Sequence, residues 1–234
     1  MASRREEKER RRQERLAREA VERAAAARRR RLQLVLGGVL AIALTGGVVV
    51  AAVAGLGGGG GGGEAREASA VASVPLPEQQ TGDLEPAAEA AGCKLAHPKD
   101  EGAEHESRSF TAADYRTNPP TSGTHDPMPS DDGVYDPGSA PGLGNLVHSL
   151  EHSRIHVQYR RGTDAQTVKE LEALVAENDG YHMVLYENPT GMPFAVAATA
   201  WAQQLACPRM NDKVFDALRT FRDRYIDQGP EQVP

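Results

Sequence analysis

The chain has 234 residues, of which 39% are hydrophobic and 5% aromatic, with a mean hydropathy of -0.52. That suits one modest domain with a charged or low-complexity remainder, and excludes one large core spanning the whole chain. Two cysteines exclude a disulfide scaffold and a four-thiolate zinc site, and the net charge of -6 divides into 13 Lys+Arg against 6 Asp+Glu over residues 1–31 and a strongly acidic remainder, which argues against nucleic acid as a partner.

Residues 1–31 are nearly all Arg, Glu, Ala and Gln, with Glu14–Arg18 and Glu19–Arg23 in helix-supporting order, and predict a charged cytoplasmic helix. Residues 34–56 carry no charge. At 1.5 Å per residue they reach about 34 Å, enough to cross a bilayer core of about 30 Å. Arg28 to Arg31 flank only the start of this stretch, so a single transmembrane helix is expected, with the N-terminus inside and the remainder outside the cytoplasm. The lipid bilayer is therefore a partner through residues 34–56. A cleaved signal peptide ending near Ala52-Val53-Ala54 is the rival reading, although 31 residues make a long leader before an apolar segment. Seven glycines at 57–63 open a linker that continues through residue 91 as an Ala/Glu/Pro-rich spacer without core-forming residues.

Residues 92–234 are expected to fold as the extracytoplasmic domain. A short strand is predicted at 107–110, followed over 111–144 by a long loop rich in Pro, Gly, Asp, Ser and Thr. A helical turn follows at 145–152. Ile155, Val157 and Tyr159 alternate with Arg154, His156 and Gln158, predicting a half-buried strand. Thr163-Asp164 caps a helix with Val168, Leu171, Leu174 and Val175 on one stripe. Strands are predicted at 181–186 and 193–199, and a final helix begins at Asn211-Asp212 with Val214, Phe215, Leu218, Phe221 and Tyr225 inward. This order predicts a small α+β domain, with a mainly antiparallel sheet and helices on one face. Cys93 and Cys207, both beyond the predicted span, are expected to pair in an oxidising compartment.

The chemistry-bearing segment is His148-Ser149-Leu150-Glu151-His152. On a helix, positions i, i+3 and i+4 share a face, so His148, Glu151 and His152 can aim three ligands at one point. The pattern is also that of inverted zinc peptidases, which need a longer helix and a larger chain. The alternative is structural: histidines bonded to the backbone of the long loop. Residues 118–127, NPPTSGTHDP, form a second constellation. Pro119 and Pro120 stiffen it, Gly123 permits positive φ or close approach, and His125 at its end can supply a fourth ligand. Met128 would favour copper(I) if it faced the site. Ser122 beside His125 is a weak mimic of a nucleophile–base pair.

The segments NPPTSGTHDP (118–127), GVY (133–135), LVHSLEH (146–152), IHVQY (155–159) and DQGPE (227–231) resemble the domain of unknown function 3105 family, common in actinobacterial membrane-anchored proteins. The resemblance spans roughly residues 93–231 and matches at His125, His148, Glu151 and His152. It departs at Ser153, where the family pattern has Gly, which bears on the tight turn into the following strand. It implies no known activity, and makes a joint site of His125 with the His148–His152 segment the favoured reading. The expected site is thus a metal centre of His125, His148, Glu151 and His152 for copper or zinc, with His156, His97 and His182 outside it. The alternatives are a hydrolase with Glu151 as general base, and a metal-free structural domain of the cell envelope.

Overall fold

The computed structural model describes residues 63–68 and 74–233. The predicted charged helix at 1–31 and membrane span at 34–56 lie outside these residues. Among the described residues, no helix is long and apolar enough to cross a membrane.

Among the described residues the domain is α+β, with four helices and one six-stranded mixed sheet. In chain order the elements are α1 (Leu84–Ala91), β1 (Lys94–Ala96), β2 (Gly133–Val134), α2 (Leu143–Glu151), β3 (Ile155–Tyr159), α3 (Ala165–Val175), β4 (Met183–Glu187), β5 (Val196–Ala200), β6 (Gln203–Cys207) and α4 (Lys213–Tyr225). Spatially the strands run β1-β6-β5-β3-β4-β2. β5 pairs antiparallel with both β3 and β6, and β6 antiparallel with β1, while β4 pairs parallel with both β3 and β2.

Three of the five pairings are antiparallel, and the two parallel ones make the sheet mixed. A parallel pair needs a crossover of a dozen or more residues, and α3 supplies one between β3 and β4. The expectation of helices on one face fails. Leu171 of α3, Phe221 of α4 and Ala87 of α1 join Ile155, Val157, Leu185, Ala198 and Leu205 in one core on one side of the sheet. α2 lies on the opposite side, where Leu146 meets Val184 and Tyr186, and Val147 and Leu150 pack with Tyr115 and Trp201. β3 is consequently buried along its whole length rather than on one side, with His156 bonded to Ser149 of α2 and Gln158 to Thr199 and Asn188.

Asp164 caps α3 as expected, accepting a hydrogen bond from the Thr167 amide at 2.9 Å. No strand forms at 107–110. Part of the predicted spacer is folded. Leu84, Ala87, Ala88 and Ala91 bury one face of α1, with Pro86 tolerated in its first turn, and Arg66 forms a two-bond bridge to Val134 at the sheet edge. Cys93 and Cys207 are joined in a disulfide with a Cα–Cα separation of 4.2 Å, binding the chain entering β1 to the end of β6.

Candidate metal centre

α2 presents the His148–His152 segment because it fits tightly beneath the long loop. At Gly144 a Cβ would run into the Phe110 ring and meet the Asp126 amide nitrogen at 2.8 Å, so only glycine lets the helix approach that closely. Asn145 donates to the Met128 carbonyl at 2.6 Å, and Ser130 donates to Ser149 at 2.9 Å, which fixes the loop along the helix. The helix stops at His152, and Ser153 turns the chain with φ 68°, the left-handed conformation that glycine adopts most easily. Its hydroxyl donates to the Glu231 carbonyl at 2.7 Å and accepts from the Gly229 amide at 3.0 Å, so serine fills that position with two bonds that glycine lacks.

The second loop arrives by backbone pairing. Gly123 has φ 119°, and its amide donates to the Gly102 carbonyl at 3.0 Å; a Cβ there would press on the Tyr115 ring at 3.1 Å. The His125 amide donates to Glu104 and the Glu106 amide to His125, making a parallel bridge that sets His105 beside His125. His125 is fully buried, with its ring edge-on to Trp201 at 6.0 Å between centroids.

One ligand atom from each of His105, His125, His148 and Glu151 lies within 4.8 Å of the others, a cluster able to hold a metal ion. The His125 Nε2 is 3.1 Å from both His105 Nε2 and Glu151 Oε2, and His105 Nε2 is 3.6 Å from that same oxygen. Ligands at 2.0–2.1 Å around a tetrahedral ion stand about 3.3 Å apart, so these separations match a coordination face. The other ring nitrogens hold the rings in place. His125 Nδ1 donates to the Gly123 carbonyl at 2.8 Å, and His148 Nδ1 donates to the Asp126 carbonyl at 2.6 Å. In each neutral ring the proton is thus on Nδ1 and the Nε2 lone pair faces the cluster. Burial lowers the His148 pKa against the opposing pull of the Asp126 carbonyl, and His125 and His105 lower it further.

His125, His148 and Glu151 of the expected set come together, and His105 joins them. His152 stands one step outward: its Nε2 is 3.0 Å from His148 Nε2 and 3.3 Å from a Glu231 carboxylate oxygen. Its pKa is also lowered, chiefly by burial and then by His148, with Glu231 opposing. His105 was missed because only the pairing of two loops brings it in. The one signal in the sequence was the crowding of histidines between 105 and 156. The structural reading, histidines tied to loop carbonyls, and the ligand reading coexist on the same rings, through different nitrogens.

His156 lies outside the cluster with both nitrogens engaged. Nε2 donates to Ser149 Oγ at 2.8 Å and Nδ1 accepts from Tyr186 at 3.1 Å, while burial lowers its pKa to about 3. His182 donates to Asp227 at 2.7 Å, and His97 contacts Gln203. Ser122 Oγ accepts from the Glu101 amide at 3.0 Å, which ties it to the neighbouring loop. Met128 is 66% exposed, and the cluster contains no sulfur donor.

No curated protein and no solved structure matches the chain. The family model described as "Protein of unknown function (DUF3105)" matches residues 107–233, which takes in His125, α2 and the C-terminal segment around Glu231, while His105 precedes it. Over more than half its length, therefore, and across the segments that carry His125, His148 and Glu151, this chain belongs to the DUF3105 family.

Proposed function

We propose that this protein is a membrane-anchored, outward-facing module that binds a divalent transition metal, zinc or copper(II), at His105, His125, His148 and Glu151. One observation carries the reading. His125, held by its Nδ1 bond to the Gly123 carbonyl, sets Nε2 3.1 Å from both His105 Nε2 and Glu151 Oε2, so donor atoms from three separate segments converge at the spacing of ligands around one ion. Nitrogen and oxygen donors without sulfur suit zinc and copper(II) better than copper(I). The Glu151 side chain is 5% exposed and that of His105 40% exposed. An ion can reach the cluster past His105, and Glu151, its Oε2 shared between His125 and His105, is engaged as a ligand rather than held as a free base. This favours binding over hydrolysis. The charge-free stretch at 34–56, flanked by Arg28 to Arg31, supports the anchor, and a disulfide suits an oxidising compartment.

The full-length protein, purified in detergent without a polyhistidine tag, should retain at least one equivalent of zinc or copper by elemental analysis. His125→Ala should lose it and His97→Ala should keep it. A wild-type chain that retains neither metal overturns the reading. For the anchor, Ser69→Cys should react with an impermeant reagent in intact cells and Ala25→Cys should not; the reverse pattern would reject the topology.

A further inference from the structure

We propose that the centre holds two ions rather than one: an inner ion on His105, His125 and Glu151, and an outer ion on His148, His152 and Glu231. This rests on the metal-binding reading above and extends it to a site that the DQGPE segment completes.

The donor atoms form two sets. The inner three stand 3.1, 3.1 and 3.6 Å apart. In the outer set, His148 Nε2 to His152 Nε2 is 3.0 Å and His152 Nε2 to the Glu231 oxygen is 3.3 Å. The three inner distances, and the two that His152 makes in the outer set, match the spacing of about 3.3 Å between ligands on one tetrahedral ion. An imidazole nitrogen has one lone pair and can serve only one ion. The second nitrogen of His148 already donates to Asp126, so the ring cannot bridge two ions. The close approach of His148 Nε2 to His152 Nε2 assigns it to the outer ion when both are bound, leaving the inner ion its three protein ligands.

Glu231 is held where the outer ion needs it. Its amide donates to the Glu151 carbonyl at 2.9 Å, and Ser153 donates to its carbonyl at 2.7 Å. Arg154 Nη1 reaches both the His152 carbonyl, at 2.7 Å, and the Val233 carbonyl, at 2.6 Å. These bonds strap the C-terminal segment across the end of α2, delivering a carboxylate from a part of the chain far from the histidines. The two positions differ in exposure. His125 is fully buried, whereas the Glu231 side chain is 53% exposed. The inner ion is therefore the tightly held one and the outer ion the exchangeable one.

The test is a zinc titration of the metal-free, full-length protein in detergent, read by elemental analysis and by competition with a chromophoric chelator. Wild type should bind two equivalents in two steps. Glu231→Gln and His152→Ala should each bind one, with the tighter step retained. Glu231 is exposed, so its amide variant tests the site without disturbing a core. If wild type binds one equivalent and both variants match it, the second position is refuted while the metal-binding function stands. Two equivalents in wild type and both variants would refute the assignment of these ligands. No zinc in wild type would overturn both readings for zinc, and the same titration with copper(II) then decides between one equivalent, two and none.

Discussion

The two faces of the sheet are built from opposite materials. One is covered by α1, α3 and α4 through a continuous core of Leu, Ala, Val and Phe, with the buried charges of α4, Asp216, Arg219 and Arg222, along that helix. The other is covered by α2 and a long loop, and buries His125, His148, Glu151, His156, Gln158 and Thr199 among smaller apolar clusters. Apolar packing is non-directional, so the first face tolerates adjustment while its volume is kept. Buried polar groups must find partners with correct geometry, so the second face is held by individual hydrogen bonds such as Asn145 to Met128 and Ser130 to Ser149. The first face supplies stability, and the second uses it to hold groups that would otherwise be costly to bury.

Three changes sharpen that contrast. The largest effect is expected from the disulfide, which closes a loop of 114 residues beside the apolar core. The paired change Cys93→Ser, Cys207→Ser should cost about 4–5 kcal/mol in the loop-entropy account. Measured by urea unfolding, the loss should come without any change in metal stoichiometry at saturating metal under folding conditions. A loss of bound metal from a still-folded variant would show that the faces are not separable.

Acid should act next, through the polar face. His156 has a folded pKa of about 3 against an ordinary value near 6.5, so the unfolded chain takes up the proton first. Its contribution is fully present above pH 6.5 and is lost as pH falls from there toward 3. Between pH 7 and pH 5 the cost is about 2 kcal/mol by linkage. In chelator-treated protein, His156→Gln should remove that part of the pH slope. Equal slopes in wild type and variant would assign the acid sensitivity elsewhere, His148 and His152 included.

The smallest effect is expected at Ser153. Ser153→Gly relieves a left-handed residue by about 1 kcal/mol but deletes two hydroxyl bonds worth a similar amount each. Global stability should shift by no more than about 1 kcal/mol, while hydrogen exchange at the Gly229 amide should quicken. Unchanged exchange there would mean that the C-terminal strap does not depend on the serine.

The elements legible in the sequence were those with strong local periodicity. α3 and α4 follow their apolar stripes, α3 with its Asp164 cap, and β3, β4 and β5 follow alternation or apolar runs. β6 was not legible because its turn, Trp201-Ala202, lacks an Asn-Gly signal although Ala202 has φ 54°, and because its first residues are two glutamines. α1 looked like spacer because alanine-rich helices carry few large apolar residues, and α1 is stable only against α4. At the site, the helical spacing of His148, Glu151 and His152 was readable, since 3.6 residues per turn is a local property.

The amino-acid order alone determined what local geometry controls: the helix that displays three polar groups on one face, the proline-stiffened loop that ends in His125, and the two cysteines available for one bridge. Only the tertiary structure decided the rest. It set α2 on the opposite face from the other helices, brought His105 into the cluster through a bridge to His125, and moved His152 outward to meet Glu231. Those outcomes depend on contacts between residues 20 to 79 positions apart. The free energy of such contacts comes from burial and pairing across the fold, which no local pattern encodes.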